Sequence, residues 1–329
     1  MAAKSTDQGF ADTWRRCDGK ADEVAKVLGI TIRSVYHRRV KVEAKLGVHL
    51  PSSGGGNHQG RGDNGATPYN YKPRLSIDGF SGMTVIFSDC HWWPGISDTL
   101  AYRALIETIK EYKPKLIIAN GDILDGARIS RFSPDGWETS PQLRDELEEV
   151  KSRMAEIRHS CRSARLVRTV GNHDMRFDKH LAQYAKEYRD IGGFRLKDHL
   201  LEWEECTSAW INTKTVVKHR WHGGIHAAWN NVVKSGMTMV TGHTHALEAK
   251  PFVDYRGRRY GVQDGTLAEP QTGPQFSYGE DNPNQGGSGF VTITYLQGGH
   301  MLPPQLCEVV DGAAHYRDQV IIRSRKRAA

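Results

Sequence analysis

MTVIFSDCH, residues 83–91, is a short apolar run that stops at an aspartate and a histidine. Its length and its aliphatic and aromatic content predict a buried strand, and its polar ending predicts that the carboxyl end of that strand carries chemistry. The design recurs downstream. KLIIANGD, residues 115–122, and ARLVRTVGNHD, residues 164–174, are apolar runs that again close on carboxylates. SDTLAYRALIETIKEY, residues 97–112, lies between the first two and has helical periodicity. Strand–helix–strand alternation of this kind predicts a layered α/β domain whose site lies at the carboxyl edge of a sheet. The segments 207–224, 237–245, 249–265 and 289–299 are strand-rich. The expected fold class is therefore α/β, with two mixed β-sheets packed as a sandwich with flanking helices, plus a small all-α N-terminal module.

Five polar clusters end apolar runs in order: Ser88-Asp89-Cys90-His91, Gly121-Asp122-Ile123-Leu124-Asp125, Gly171-Asn172-His173-Asp174, Trp221-His222-Gly223 and Gly242-His243-Thr244-His245. A single strand-terminal Asp is commonly a turn residue, and a single His is commonly a half-buried polar side chain. Five such clusters, four of them containing glycines that let backbones approach closely, are instead the pattern of a metal site. Carboxylate, imidazole and one amide oxygen suit Mn, Fe, Zn or Mg in an open catalytic arrangement, unlike a closed thiolate-rich zinc site.

Taken together the clusters resemble the signature of the calcineurin-like metallophosphoesterase superfamily, D-x-H, G-D-x-x-D, G-N-H-D, H and G-H-x-H, over about residues 80 to 270. The resemblance implies two divalent metal ions, Mn²⁺ first among Mn, Fe, Zn, Mg, Ni and Co. It implies that Asp89, His91 and His245 hold one ion, that Asn172, His222 and His243 hold the other, and that Asp122 bridges both. His219 and His226 flank His222 and are rival ligands. His173 is then the non-ligating catalytic histidine, oriented by Asp125, and a metal-bridging hydroxide attacks phosphorus in line. Protein Ser/Thr phosphatases of the superfamily follow the second Asp with Arg-Gly, whereas Gly126 follows Asp125 here. Arg128, Arg131 and Arg176 follow two of the motifs and are candidate substrate-phosphate contacts, with Trp92 at the mouth as a stacking or packing residue.

The ends of the chain read differently. Residues 1–50 carry ten Lys/Arg against six Asp/Glu, and residues 319–329 carry four more basic residues, so the formal charge of +7 resides at the two ends. Phe10, Trp14 and Cys17 recur at helical spacing, and ADEVAKVLGITIRSVYHRRVKVEAKLG reads as two short helices broken at Gly29, with Thr31 as the cap. The pattern predicts a helix-turn-helix-like module over residues 1–50, with Arg33, Ser34, His37 and Arg38 offered to DNA. Protein contact or homo-oligomerisation is its alternative use. Residues 51–74, rich in Gly, Ser, Asn and Pro, read as a linker; residues 75–318 as the phosphoesterase domain; and residues 319–329 as a basic tail. The expected activity is a phosphodiesterase or nuclease acting on DNA, similar to the nuclease-type branch of the superfamily. A phosphomonoesterase or small-molecule phosphodiesterase is the alternative.

With 38% hydrophobic and 25% charged residues, the composition excludes disorder, collagen-like repeats and a membrane protein. No apolar stretch is long enough to span a bilayer, the first residues lack the apolar centre of a secretory signal, and five scattered cysteines make no disulfide framework. A cytoplasmic, reducing location is expected.

Overall fold

The computed structural model describes residues 6–48, 50, 73–131, 140–188, 191–269 and 286–324. After residue 72 the chain opens with strands β1 (Leu75–Ile77) and β2 (Gly82–Phe87), and the side chains of β2 divide by parity. Val85 and Phe87 point to a helical layer, and Ile86 points the other way, into the space between two sheets. The same alternation runs along β3 (Leu116–Asn120), where Ile117 and Ala119 face helices and Leu116 and Ile118 face the second sheet. A strand buried on both faces must be apolar at every position, which is why these runs lack polar alternation.

Strands β2, β3, β4 (Arg165–Thr169) and β5 (Glu204–Cys206) are parallel neighbours. The other edge of β2 pairs antiparallel with β11 (Gly289–Tyr295). β12 (Gln305–Val310), β13 (Ala313–Tyr316) and β14 (Gln319–Arg323) then continue the sheet in antiparallel pairs. Among the described residues this sheet has eight strands in the order β14-β13-β12-β11-β2-β3-β4-β5. The segment expected to begin a basic tail at Gln319 is thus an edge strand through Arg323; its last residues, 325–329, lie outside the described residues, as do 51–72 of the expected linker. The second sheet orders β1, β6 (Ala209–Ile211), β7 (Thr215–Val217), β8 (Thr238–Thr241), β10 (Gly257–Asp264) and β9 (Leu247–Asp254).

Helices α4 (Leu100–Tyr112) and α5 (Leu143–Ser160) supply the crossovers β2-α4-β3 and β3-α5-β4. Thr99 caps α4 by accepting from the Tyr102 amide at 3.1 Å, and Ala101, Leu105 and Ile109 pack onto Val85 and Ile117. Burying each large aliphatic side chain there contributes roughly 1.5–3 kcal/mol. α6 (Asp174–Tyr184) follows β4 directly, and α7 (Ala227–Ser235) packs on the outer face of the second sheet. At Gly261 of β10 an added Cβ would lie 1.8 Å from the Ala228 carbonyl oxygen, so only glycine admits that helix.

The chain divides into two compact units, Met1–Pro68 and Tyr69–Ala329. The first holds α1 (Asp7–Arg16), α2 (Ala21–Leu28) and α3 (Ile32–Leu46) around Phe10, Trp14, Val24, Val35, Val42 and Leu50. Gly29 stops α2 at φ 63°, a left-handed conformation that glycine adopts without strain, and Thr31 accepts from the Ser34 amide to start α3. The guanidinium of Arg38 lies 5.2 Å from the Phe10 ring centre. It is half-buried, with less surface to offer than Arg33, Ser34 and His37, which are exposed. All five cysteines are buried and free. No helix among the described residues is long and apolar enough to cross a membrane.

Candidate metal centre

Asp89, Asp122, Asn172 and His243 follow β2, β3, β4 and β8, so the carboxyl ends of strands from both sheets bring them together. The loops are tied through their backbones. The amides of Cys90 and His91 both donate to the Asp122 carbonyl, at 2.9 and 3.1 Å. The His243 amide donates to Asp89 Oδ2 at 2.9 Å and the His173 amide to Asp122 Oδ1 at 2.8 Å. Two glycines permit this closeness: a Cβ at Gly171 would lie 2.1 Å from Asp122 Oδ1, and one at Gly242 would lie 2.4 Å from Ser88 Oγ. Asp89, His91, Asp122, His243 and His245 all have positive φ, between 43° and 71°. Such backbone costs roughly 1–3 kcal/mol per residue and persists only where the surroundings over-determine it, as this bonding does.

The ligand atoms of Asp89, His91 and His245 lie within 4.8 Å of one another, as do those of Asp122, His219 and His243. Asp89 Oδ1 is buried without a hydrogen bond and faces Nε2 of His245 at 3.3 Å, of His91 at 3.8 Å and of His219 at 4.0 Å. Nε2 of His219 is 3.0 Å from Asp122 Oδ2, and Asn172 Oδ1 is also buried without a hydrogen bond. Donors about 3 to 3.5 Å apart are what bonds of about 2.1 Å to one cation require. Buried oxygens that accept nothing, ringed by imidazole nitrogens, fit divalent ions.

The second histidine cluster departs from the sequence expectation. His219, which is buried, faces Asp122; its Nδ1–H donates to the Asn120 carbonyl at 2.7 Å, which turns Nε2 toward the cluster. His222 does not join the group. Its backbone is held by Asn231, and its ring lies 4.7 Å from that of Trp221. The correction has a local cause: His219 directly continues β7, while His222 lies beyond the bend that follows. His226 is exposed and is not in the cluster either.

Electrostatics follow from three buried carboxylates. Burial pushes Asp122 up, but the charge and hydrogen bond of His219 and the charge of His173 together bring the group down to about 2. Burial also opposes a charged His219 ring, yet Asp122 and Asp89 raise its pKa to about 10. Asp125 is pushed up by burial and pulled down further by hydrogen bonds from His173 and His91, so it stays ionised. Its Oδ1 lies 3.0 Å from His91 Nδ1 and 2.9 Å from His173 Nδ1, and Oδ2 accepts from the Trp93 indole at 3.3 Å. Asp125 therefore orients a metal-facing ring and a mouth-facing ring together.

The substrate candidates separate. Arg176 donates to the Asp125 carbonyl at 2.9 Å and approaches His173 Nε2 at 3.1 Å. Arg128 is exposed and donates to the Ser140 carbonyl, and Arg131 is exposed beside residues outside the described set. Of the two uses expected for Trp92 it has the packing one: it is buried, edge-on to Tyr102 at 5.9 Å, and Trp93 reaches the site. Four supporting residues have no role in the sequence reading: Ser88 and Asp174 stand within its clusters, and Arg168 and Asp264 are passed over. Asp174 accepts from the amides of Asp122, Ile123, Leu124 and Gly171, and Arg168 lies 3.6 Å from it. Ser88 donates to Asp89 Oδ2 at 2.5 Å and lies 2.8 Å from Asp264 Oδ1.

Gene 54 proteins of Mycobacterium phages D29 and L5 are 24% and 25% identical to this chain over 239 residues, 65% of this chain and 89% of each relative. Among solved structures, zinc-complexed Vps29 from Entamoeba histolytica gives a TM-score of 0.40 at 16% identity, covering 71% of this chain and 97% of that one. The phosphoesterase Yfce from E. coli gives 0.32 at 13%, covering 68% and 97%. A Saccharomyces cerevisiae protein serine/threonine phosphatase with similarity to human PP5 gives 0.34 at 10%, covering 73% and 84%. The calcineurin-like phosphoesterase pattern matches residues 83–259. That span takes in more than half of the chain, from β2 to the start of β10, and so the chain belongs to the calcineurin-like phosphoesterase family and is a metal-dependent phosphoester hydrolase.

Proposed function

We propose that the chain is a phosphodiesterase acting on DNA, with Asp89, His91 and His245 holding one divalent ion, Asn172, His219 and His243 holding a second, and Asp122 shared between them. Bound there, such ions supply the Lewis acidity that neutralises phosphoryl oxygens and acidifies water. The chain's own residues do the rest. A guanidinium has only N–H donors, so the contact of Arg176 with His173 Nε2 requires a lone pair on that nitrogen and the ring proton on Nδ1, facing Asp125. A substrate phosphate is a stronger partner for Arg176 than an imidazole lone pair. Arg176 turning to phosphate uncovers the Nε2 lone pair, which must take up a proton from solvent before the ring, held by Asp125, can pass it to the leaving oxygen.

The observation that carries DNA as substrate is the outer face of α3. Arg33, His37 and Lys41 recur there at exposed positions, and Glu43, the one carboxylate of the helix, is half-buried and paired with Arg39 at 3.1 Å. Ser34 is exposed at the first turn, with its hydroxyl shared with the capping Thr31 at 2.9 Å. A cationic face of this kind meets phosphates in a groove. The near-neutral charge of residues 51–318 favours the second reading, a phosphomonoesterase or small-molecule phosphodiesterase with residues 1–50 used for docking.

Hydrolysis with added Mn²⁺ of duplex and single-stranded DNA, bis-p-nitrophenyl phosphate and p-nitrophenyl phosphate separates the two, with His173→Ala as control. DNA cleavage that falls about 10²- to 10⁴-fold in the variant is expected. Monoester turnover with intact DNA refutes the nuclease reading.

A further inference from the structure

The loop after His219 is a built surface that the metal centre does not use. Asn231, fully buried on α7, accepts from the His222 amide at 3.1 Å and donates to the His222 carbonyl at 3.3 Å. The same amide group donates to Thr241 Oγ1 at 3.2 Å, one residue before the Gly242-His243 turn. The loop is thus fixed to the strand end that presents His243. On it, Trp221 is 42% exposed, and its ring lies 4.7 Å from that of His222 at 38°. Arg220 is exposed beside it and directly follows the buried His219, whose Nε2 lies 3.0 Å from Asp122 Oδ2.

Charge distinguishes this surface from the rest of its unit. From Cys206 to Leu247 the sequence contains no Asp or Glu and contains Lys214, Lys218, Arg220 and Lys234. An exposed indole, a neighbouring imidazole and a guanidinium, in a stretch free of carboxylates and adjoining the hydrolytic centre, match the chemistry of bases and phosphates in an unpaired polynucleotide. Aromatic rings stack on any base, and a cation follows the backbone. Duplex DNA offers no open base faces to such a ring.

We propose that Arg220 and Trp221, with His222 behind the indole, form a platform that stacks the bases of single-stranded nucleic acid beside the metal centre. The inference deepens the DNA reading by naming the form of substrate that reaches the site. Trp221 stacks a base next to the scissile phosphate, and Arg220 pairs with a neighbouring phosphate.

Fluorescence anisotropy of a labelled oligo(dT) tests this in the full chain carrying His173→Ala, with Trp221→Ala, Trp221→Phe and Arg220→Ala added singly. Every arm retains residues 1–50, so differences between arms belong to the loop. Trp221→Ala is expected to weaken binding roughly 5- to 100-fold, and Trp221→Phe to stay within about threefold of the parent. Arg220→Ala is expected to reduce the slope of log affinity against log salt by about 0.7. Wild-type affinity in Trp221→Ala, or equal loss in Trp221→Phe, overturns the platform, as does a parent that binds no oligonucleotide. The two readings fail separately. DNA cleavage with affinity independent of Trp221 refutes the platform alone, and Trp221-dependent affinity without cleavage by the wild type refutes the nuclease alone.

Discussion

Ser88 has one hydroxyl proton and two carboxylates to share it between. Its Oγ lies 2.5 Å from Asp89 Oδ2 and 2.8 Å from Asp264 Oδ1, so one carboxyl must donate rather than accept. Asp264 is that group: burial, then the charge of Asp89, pushes its pKa up to about 7, while Asn120 donates to its other oxygen at 2.9 Å. The chain of donors runs from Asp264 through Ser88 to Asp89, which fixes the carboxylate that faces three imidazoles. An asparagine at position 264 reproduces both bonds, with N–H toward Ser88 and C=O toward Asn120. Asp264→Asn is therefore expected to keep metal affinity within about threefold, and Asp264→Ala to lose roughly 10- to 100-fold, as measured by titration calorimetry. Equal affinities in the two variants contradict the donor chain. The two histidines after β7 give a sharper contrast. His219→Ala removes a nitrogen 3.0 Å from Asp122 and is expected to lose one ion per chain and at least about 100-fold in turnover, whereas His222→Ala is expected to retain both ions. Elemental analysis of the purified variants decides it.

Between residue and fold lie the elements that hold the strand ends in register. α5 reaches the loop after β3 through Glu146, a fully buried side chain whose Oε1 accepts from the Gly126 amide at 2.5 Å and whose Oε2 has no hydrogen bond. Burial pushes its pKa up to about 7 from an ordinary 4.5, so the folded state holds a proton that the unfolded state releases. Stability from this group is complete below about pH 4.5 and is lost as pH rises through about 7, amounting to about 3 kcal/mol across that window. Glu146→Gln keeps the acceptor and cannot ionise. Denaturant melts at pH 5 and pH 8 are expected to show the wild type losing stability relative to the variant at the higher pH, and parallel curves contradict the assignment. The elements also explain what the sequence discloses. Asp89, Asp122 and His243 are legible because each follows an apolar run that only a buried strand explains. Asp264 ends β10 in the same manner, after Tyr260-Gly261-Val262-Gln263, and the same signal marks it. His219 is harder to read, since three histidines follow β7 and the bend that excludes His222 depends on Asn231 from the next helix. Which use Trp92 has depends on the Tyr102 ring, carried by the helix that follows, which the sequence does not place against it.

On the scale of the molecule, the hydrolytic chemistry and the most basic helix belong to different compact units, Tyr69–Ala329 and Met1–Pro68. Each has a core of its own, with Phe10, Trp14 and Val35 in the smaller and the two sheet-packed clusters in the larger. Such a division lets affinity and turnover vary independently. On α3, Arg33, His37 and Lys41 share one exposed face with Ile32, Tyr36 and Val40, which are 49%, 49% and 64% exposed. Mixed apolar and cationic side chains suit a major groove, where aliphatic groups meet thymine methyls and cations meet phosphate. The same apolar residues also suit a protein partner, and salt distinguishes the two uses. Removing one cation from a duplex phosphate lowers the slope of log affinity against log salt by about 0.9, so the full chain with Arg33→Ala and Lys41→Ala combined is expected to bind duplex DNA with a slope smaller by about 2. An unchanged slope, together with a shift in oligomeric mass in sedimentation, assigns the helix face to protein contact and removes the duplex from its role. A reduced slope places electrostatic capture in the first unit, apart from residues 51–318, which carry little net charge of their own.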